Sequence, residues 1–106
     1  MNKMLLIAAV ISIAYIFPAT SQNIVINEVL ASNTSTNMDE DASYQDWIEL
    51  YNTGLSPINL QGYGLTDDST VLFKWVFPNV TINPGSYLLI WASDKNRTDP
   101  ANPLHS

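Results

Sequence analysis

Asp46 to Asn52 alternates bulky and polar side chains, with Trp47, Glu49 and Tyr51 on one side and Ile48, Leu50 and Asn52 on the other. A period of two predicts a half-buried β-strand. A similar run lies earlier, from Ile24 to Asn33. Both runs carry a carboxylate inside an apolar stretch, Glu28 and Glu49, and an Asn near the end. No helical period follows residue 21. Short apolar runs broken by Asn, Asp, Gly and Pro predict strands near Asn23 to Ala31, Asp46 to Asn52, Ile58 to Leu60, Tyr63 to Leu65, Leu72 to Phe77, Val80 to Ile82 and Tyr87 to Ala92. Pro78 ends the fifth of these because it has no N–H to give to a ladder. Asn83-Pro84-Gly85 is a turn signal. Ser32 to Gln45 is a polar, acidic loop, and Ser93 to Ser106, with two prolines, reads as another loop.

Many short strands and regular turns imply an all-β sandwich or barrel. Tyr87 to Ala92 is nearly all apolar, as in a central, buried strand. It is also the last strand predicted, with nothing after it to cover it. A sandwich should not end on its most buried strand, so an incomplete domain, or one completed by another segment, is expected.

The first 21 residues change the picture of the compartment. Lys3 supplies a positive start, Met4 to Phe17 is apolar and uncharged, and Ala19-Thr20-Ser21 offers small residues before a cut ahead of Gln22. These are the parts of a secretory signal. The apolar stretch is shorter than the roughly 20 residues needed to cross a bilayer. The expectation is a signal peptide over residues 1–21, a domain over residues 22–106, and a secreted or cell-surface protein with no membrane span after cleavage.

Beyond the signal only Lys74, Lys95 and Arg97 stand against all 10 acids. Such a surface repels phosphates, and no nucleic-acid partner is expected. There is no Cys, which excludes a lipid-modified cysteine anchor. It also leaves a small exported domain to depend on packing where others use disulfides.

Five motifs in order carry a family likeness: Ile26-Asn27-Glu28, Asp46-Trp47-Ile48-Glu49-Leu50-Tyr51-Asn52, Leu60-Gln61-Gly62-Tyr63-Gly64-Leu65-Thr66-Asp67-Asp68, Lys74-Trp75-Val76-Phe77-Pro78, and Pro84-Gly85-Ser86-Tyr87-Leu88-Leu89-Ile90-Trp91-Ala92. Together they resemble the lamin tail domain, and most closely its secreted bacterial branch, over Asn23 to Ala92. The resemblance implies an immunoglobulin-like β-sandwich. It also implies a module that sits beside nuclease, phosphatase, kinase-like or surface-repeat domains and serves adhesion or targeting. The family has no established catalytic residues, so none are carried over. Members continue past the equivalent of Pro103-Leu104-His105 into a further strand and a hairpin. This chain stops at Ser106, which the resemblance reads as a truncated sandwich.

Several residue groups invite chemistry. Glu28 and Glu49 suit an acid–base pair or metal ligands, but acids that accept hydrogen bonds and set strand register are the favoured reading. In the acidic loop, Asp39, Asp41 and Asp46 are candidate calcium ligands, with Glu40 and Asn37 nearby. The loop lacks the glycine and acid spacing of an EF-hand, and a hydrated acidic loop is favoured. Asp67-Asp68 sits in a turn, where Asp caps backbone amides. Trp47, Tyr51, Tyr63, Trp75, Tyr87 and Trp91 suit a sugar platform, though a small domain needs its aromatics inside; Tyr44 is expected to be exposed. Asn33-Thr34-Ser35, Asn79-Val80-Thr81 and Asn96-Arg97-Thr98 match the glycosylation triplet. The only His is His105, in the expected terminal loop. No phosphate-cradling loop, zinc spacing or serine elbow is present.

The expected function is therefore a non-catalytic binding, adhesion or positioning module, the N-terminal part of a larger secreted or cell-surface protein. It would contact protein or glycan through Ser32 to Gln45 and Ser93 to Ser106. No cofactor is expected apart from calcium in the acidic loop. The alternative is an accessory domain of a secreted hydrolase or kinase-like enzyme whose catalytic domain lies beyond Ser106.

Overall fold

The computed structural model describes residues 23–106, with the backbone alone of residues 4–7 and 14–17. The expected signal segment, Met1 to Ser21, otherwise lies outside the described residues. The strands are β1 Met4–Ile7, β2 Ala14–Phe17, β3 Ile24–Leu30, β4 Asp46–Asn52, β5 Ile58–Asn59, β6 Gly64–Thr66, β7 Trp75–Val76, β8 Thr81–Ile82, β9 Tyr87–Ala92 and β10 Leu104–His105. They form one sheet in the order β2-β1-β6-β7, a second in the order β10-β9-β4-β3, and a separate pair β5-β8. Pairing is antiparallel except for β1 with β6 and β9 with β10. No helix among the described residues is long and apolar enough to cross a membrane.

The alternation of β4 does what the sequence predicts. Leu50 and Asn52 are fully buried and Ile48 nearly so. Ile24 pairs with Asn52, Ile26 with Leu50 and Val29 with Ile48. Apolar residues on β3 therefore switch from even to odd positions, and a bulge makes the switch. The register shifts between Ile26 and Glu28, leaving Asn27 without a partner. One extra residue restores the inward face, because a single step along a strand reverses every side chain. The same step sets Glu28 directly opposite Glu49 on the outer face. Like charges so placed repel, and Asn27 relieves the contact by donating from Nδ2 to Glu49 Oε1 at 2.8 Å. Glu49 is thus held by a neighbouring amide, the structural alternative to chemistry.

Ile24, Ile48, Leu50, Ile90 and Leu104 of the second sheet pack with Leu65 and Trp75 of the first, closed by Leu60, Tyr63, Phe77 and Ile82. This is the all-β sandwich expected. Three expectations need correction. First, Ser93 to Ser106 is not all loop: Leu104–His105 forms β10, beside Ile90 and Trp91 of β9. Secondly, Tyr87 to Ala92 is therefore flanked on both sides, by β4 and β10, so the strand-count argument for missing strands loses its premise. Thirdly, Leu72 to Phe77 is not one strand; only Trp75–Val76 pairs. Gly64 gives the reason. A Cβ there would meet the Phe73 ring at 2.4 Å and the Leu72 carbonyl oxygen at 2.7 Å. The bare backbone lets Leu72 and Phe73 fold over it, partly exposed, instead of extending the ladder.

Asn52 ties three segments together. Its Nδ2 donates to the carbonyls of Ser56 and Ile82 at 2.8 and 2.9 Å, and its Oδ1 accepts from Gly54 N–H at 2.8 Å. Its main chain bonds Ser86 and Gly85 across the turn, where Gly85 adopts a φ of 70°. Glycine takes that left-handed conformation without the Cβ clash that other residues meet.

Candidate functional site

Two loops meet at one end of the sandwich. Asn33 shapes the first, Ser32 to Gln45. Its Nδ2 reaches the carbonyls of Thr36, Asn37 and Gln45, and its Oδ1 accepts from Ser35 and Thr36 N–H. Within the loop, Asp39 Oδ1 accepts from the Asp41 and Ser43 amides, both at 3.0 Å. The second loop, Ser93 to Pro103, supplies the cations. Lys95 Nζ lies 2.5 Å from Asp39 Oδ2 and 2.8 Å from Asp41 Oδ2. Arg97 reaches Glu40 Oε1 at 2.8 Å and Asp41 Oδ2 at 2.7 Å.

The electrostatics follow from these contacts. Burial raises the Asp39 carboxyl, but the Lys95 ammonium and the Ser43 and Asp41 amides outweigh it and hold the group below its ordinary value. Arg97 and then Lys95 lower Asp41 to about 2. Lys95 is raised, first by Asp39 and then by Asp41, and Arg97 is raised chiefly by Asp41.

His105 fastens the cluster from inside. Its ring is fully buried, stacked on Trp91 with centroids 6.3 Å apart. Nδ1 shares a hydrogen with Ser93 Oγ at 2.6 Å, and Nε2 contacts Glu40 Oε1. Ser93, His105 and Glu40 thus stand in the order of a nucleophile–base–acid relay. The His105 ring is fully enclosed, and the chain from Ser93 through His105 to Glu40 ties β10 to both loops. One ligand atom each from Asp39, Glu40 and His105 lies within 4.8 Å of the others. These three atoms are close enough to share a cation, and the Lys95 ammonium already sits on Asp39.

The calcium candidates are distributed differently from that group. Asp39 and Asp41 come together on Lys95, whereas Asp46 Oδ1 accepts the Asn33 N–H at 2.8 Å, where the loop enters β4. Sequence reasoning passed over Lys95, Arg97 and His105. The signal was available: two of the three cations beyond residue 21 are two residues apart, and a run of three acids needs counter-charge.

Beside these loops a cleft of about 450 Å³ opens between the sheets. Ile48, Leu65 and Trp75 belong to both the cleft and the core; Asp46, Asp67 and Asp94 bring carboxylates to it. Lys74 Nζ is bonded to Asp67 Oδ1 at 2.8 Å. Trp47 and Trp75 both wall the cleft and are 6 % and 7 % exposed. Neither indole Nε1 has a hydrogen-bond partner. A buried donor without an acceptor costs about 1–3 kcal/mol.

The aromatics thus divide. Tyr63 and Trp75 belong to the core, Trp47 and Trp91 are buried outside it, and Tyr51 and Tyr87 pack at 4.6 Å on the outer face. Tyr44 is exposed, as expected, though Tyr87 is more so.

A family model described as lamin tail domain matches residues 18–105. No curated protein and no solved structure matches the chain.

Proposed function

The chain belongs to the lamin tail domain family, whose immunoglobulin-like fold is compatible with a non-catalytic role, and from that membership we propose that it is a binding or positioning module of an exported, larger protein. One observation carries the proposal: two loops distant in sequence are clasped by ion pairs into a fixed rim beside a ready-made cleft. A cleft of this size suits a ligand or a partner segment, and loops on a rigid sandwich are where such modules bind. The adhesive partner is a protein or glycan outside the cell. The test is binding of the labelled full chain to intact cells of the organism that makes it, before and after protease or glycosidase treatment. Saturable binding abolished by one treatment is expected. Binding that is linear with concentration and unaffected by either treatment overturns the proposal.

A further inference from the structure

We propose that Asn96 is a site of N-linked glycosylation, the acceptor for an oligosaccharyltransferase that reads an acid two residues before the asparagine; the inference rests on the reading that the chain is exported.

Three observations separate this position from the other two matching triplets. The first is what each asparagine already does. Asn33 Nδ2 reaches the carbonyls of Thr36, Asn37 and Gln45, so a sugar on that nitrogen replaces a hydrogen that shapes the loop. Asn79 is exposed, but its triplet is bound into the sandwich: Phe77 before it is buried, the Val80 carbonyl accepts from Leu60 N–H, and Thr81 lies in β8. Asn96 is exposed, and among the described residues its side chain takes part in no hydrogen bond. The second is the flanking sequence. Asp94-Lys95-Asn96-Arg97-Thr98 places a carboxylate two residues before the acceptor and a hydroxyl two after it. A carboxylate there offers a charge-assisted contact to a cationic side chain of the transferase. The other two triplets carry Ala31 and Phe77 at that position. Asp94 and Thr98 are both exposed, and neither side chain is hydrogen-bonded among the described residues. The third is tolerance of the product. Lys95 and Arg97, on either side, send their side chains to Asp39, Asp41 and Glu40, and a sugar on Asn96 Nδ2 removes none of those contacts.

The reaction joins Asn96 Nδ2 to the anomeric carbon of a polyprenyl-pyrophosphate-linked oligosaccharide. The bond from that carbon to the pyrophosphate oxygen breaks, and the lipid pyrophosphate leaves with the bonding pair. The amide gives up one proton to a base of the transferase. The Arg97 main chain is bonded in both directions to His105 and has to be free for the triplet to enter an active site, so transfer precedes the seating of β10. The attached saccharide then stands at the mouth of the cleft, whose wall includes Asn96.

The experiment expresses the full chain in a bacterial host that carries an oligosaccharyltransferase of this class and a lipid-linked glycan of known mass, beside a host whose transferase is inactive. Intact mass, and fragmentation that keeps the glycan on its residue, read the product; the N-terminal sequence of the recovered chain reports export. A single glycan on Asn96 is expected. Asn96→Gln and Thr98→Ala are each expected to abolish it, the second without touching the acceptor or its turn. Asp94→Asn is expected to lower occupancy severalfold, and Asn79→Gln to leave it unchanged. The inference is overturned if the exported chain stays bare, or if the glycan lies on Asn33 or Asn79 with Asn96 bare. It is also overturned if Asp94→Asn is modified as fully as the parent. A chain that keeps residues 1–21 and stays inside the cell sinks the export reading and the inference with it. An exported but unmodified chain sinks the inference alone.

Discussion

Asn52→Ala tests whether a buried amide holds this sandwich together. Asn52 is 0 % exposed, and its side chain makes three hydrogen bonds, to Ser56, Ile82 and Gly54. Each is worth about 1 kcal/mol net, and truncation also strands two carbonyls and one N–H away from water. The expected loss is about 3–5 kcal/mol, in the range of a broken buried network. Folded domains have only about 5–15 kcal/mol to lose. With a urea slope of about 1 kcal/mol per molar for a domain this small, the midpoint falls by about 3–5 M. Asn52→Asp sharpens the test. It keeps an acceptor for Gly54 but faces two carbonyls with a carboxylate, so at neutral pH it costs at least as much as alanine. Burial raises the folded-state pKa of such an acid. Its penalty is therefore full above that value and shrinks as pH falls toward the ordinary carboxylate range, where the protonated group donates again. Urea melts of both variants at pH 7 and pH 4.5 decide the matter. An alanine variant within 1 kcal/mol of the parent, or an aspartate variant whose deficit grows on acidification, would refute the reasoning.

Two further outcomes are expected. Asp41 is held at about 2 in the folded chain, below its ordinary value of 3.8; its contribution is present above the ordinary value and is lost as pH falls through the folded one, so Asp41→Asn should flatten the acid limb of stability between about pH 4 and pH 2, measured by chemical denaturation across that window. Thermal melting with calcium or with chelator should give the same midpoint, because the Lys95 ammonium already lies against Asp39 and Asp41; a calcium-dependent rise that Asp39→Asn abolishes would show that the ion displaces the lysine.

Strands with strict alternation were legible from residues alone. β4 appears with its expected bounds and its expected inward face, because period two and burial coincide there. β3 was legible as a strand but not in its phase, since the bulge at Asn27 depends on which residues of β4 lie opposite. Leu72 and Phe73 misled for a related reason: alternation predicts a ladder, but the space over Gly64 offers them a different seat. β10 was invisible, being two residues long and defined only by its parallel partner. For the site, the acidic loop stood out by composition. Its counter-ions lie more than 50 residues away, and no local pattern reports a contact at that separation. The orphan indoles were equally hidden, because sequence shows that a Trp is present but not whether its N–H finds an acceptor.

The clasp between the two loops has a consequence for how this chain withstands its surroundings. In a chain with no cysteine, Lys95 and Arg97 join segments as far apart in sequence as many disulfides do. Such a staple is indifferent to reducing agents and thiol exchange. It yields instead to acid and to concentrated salt, whose screening length shrinks to about 3 Å at 1 M. The seating of the C-terminal strand, held in the core by Leu104 and under the loops by the buried His105, is therefore loosened rather than released by brine, which would leave a disulfide untouched.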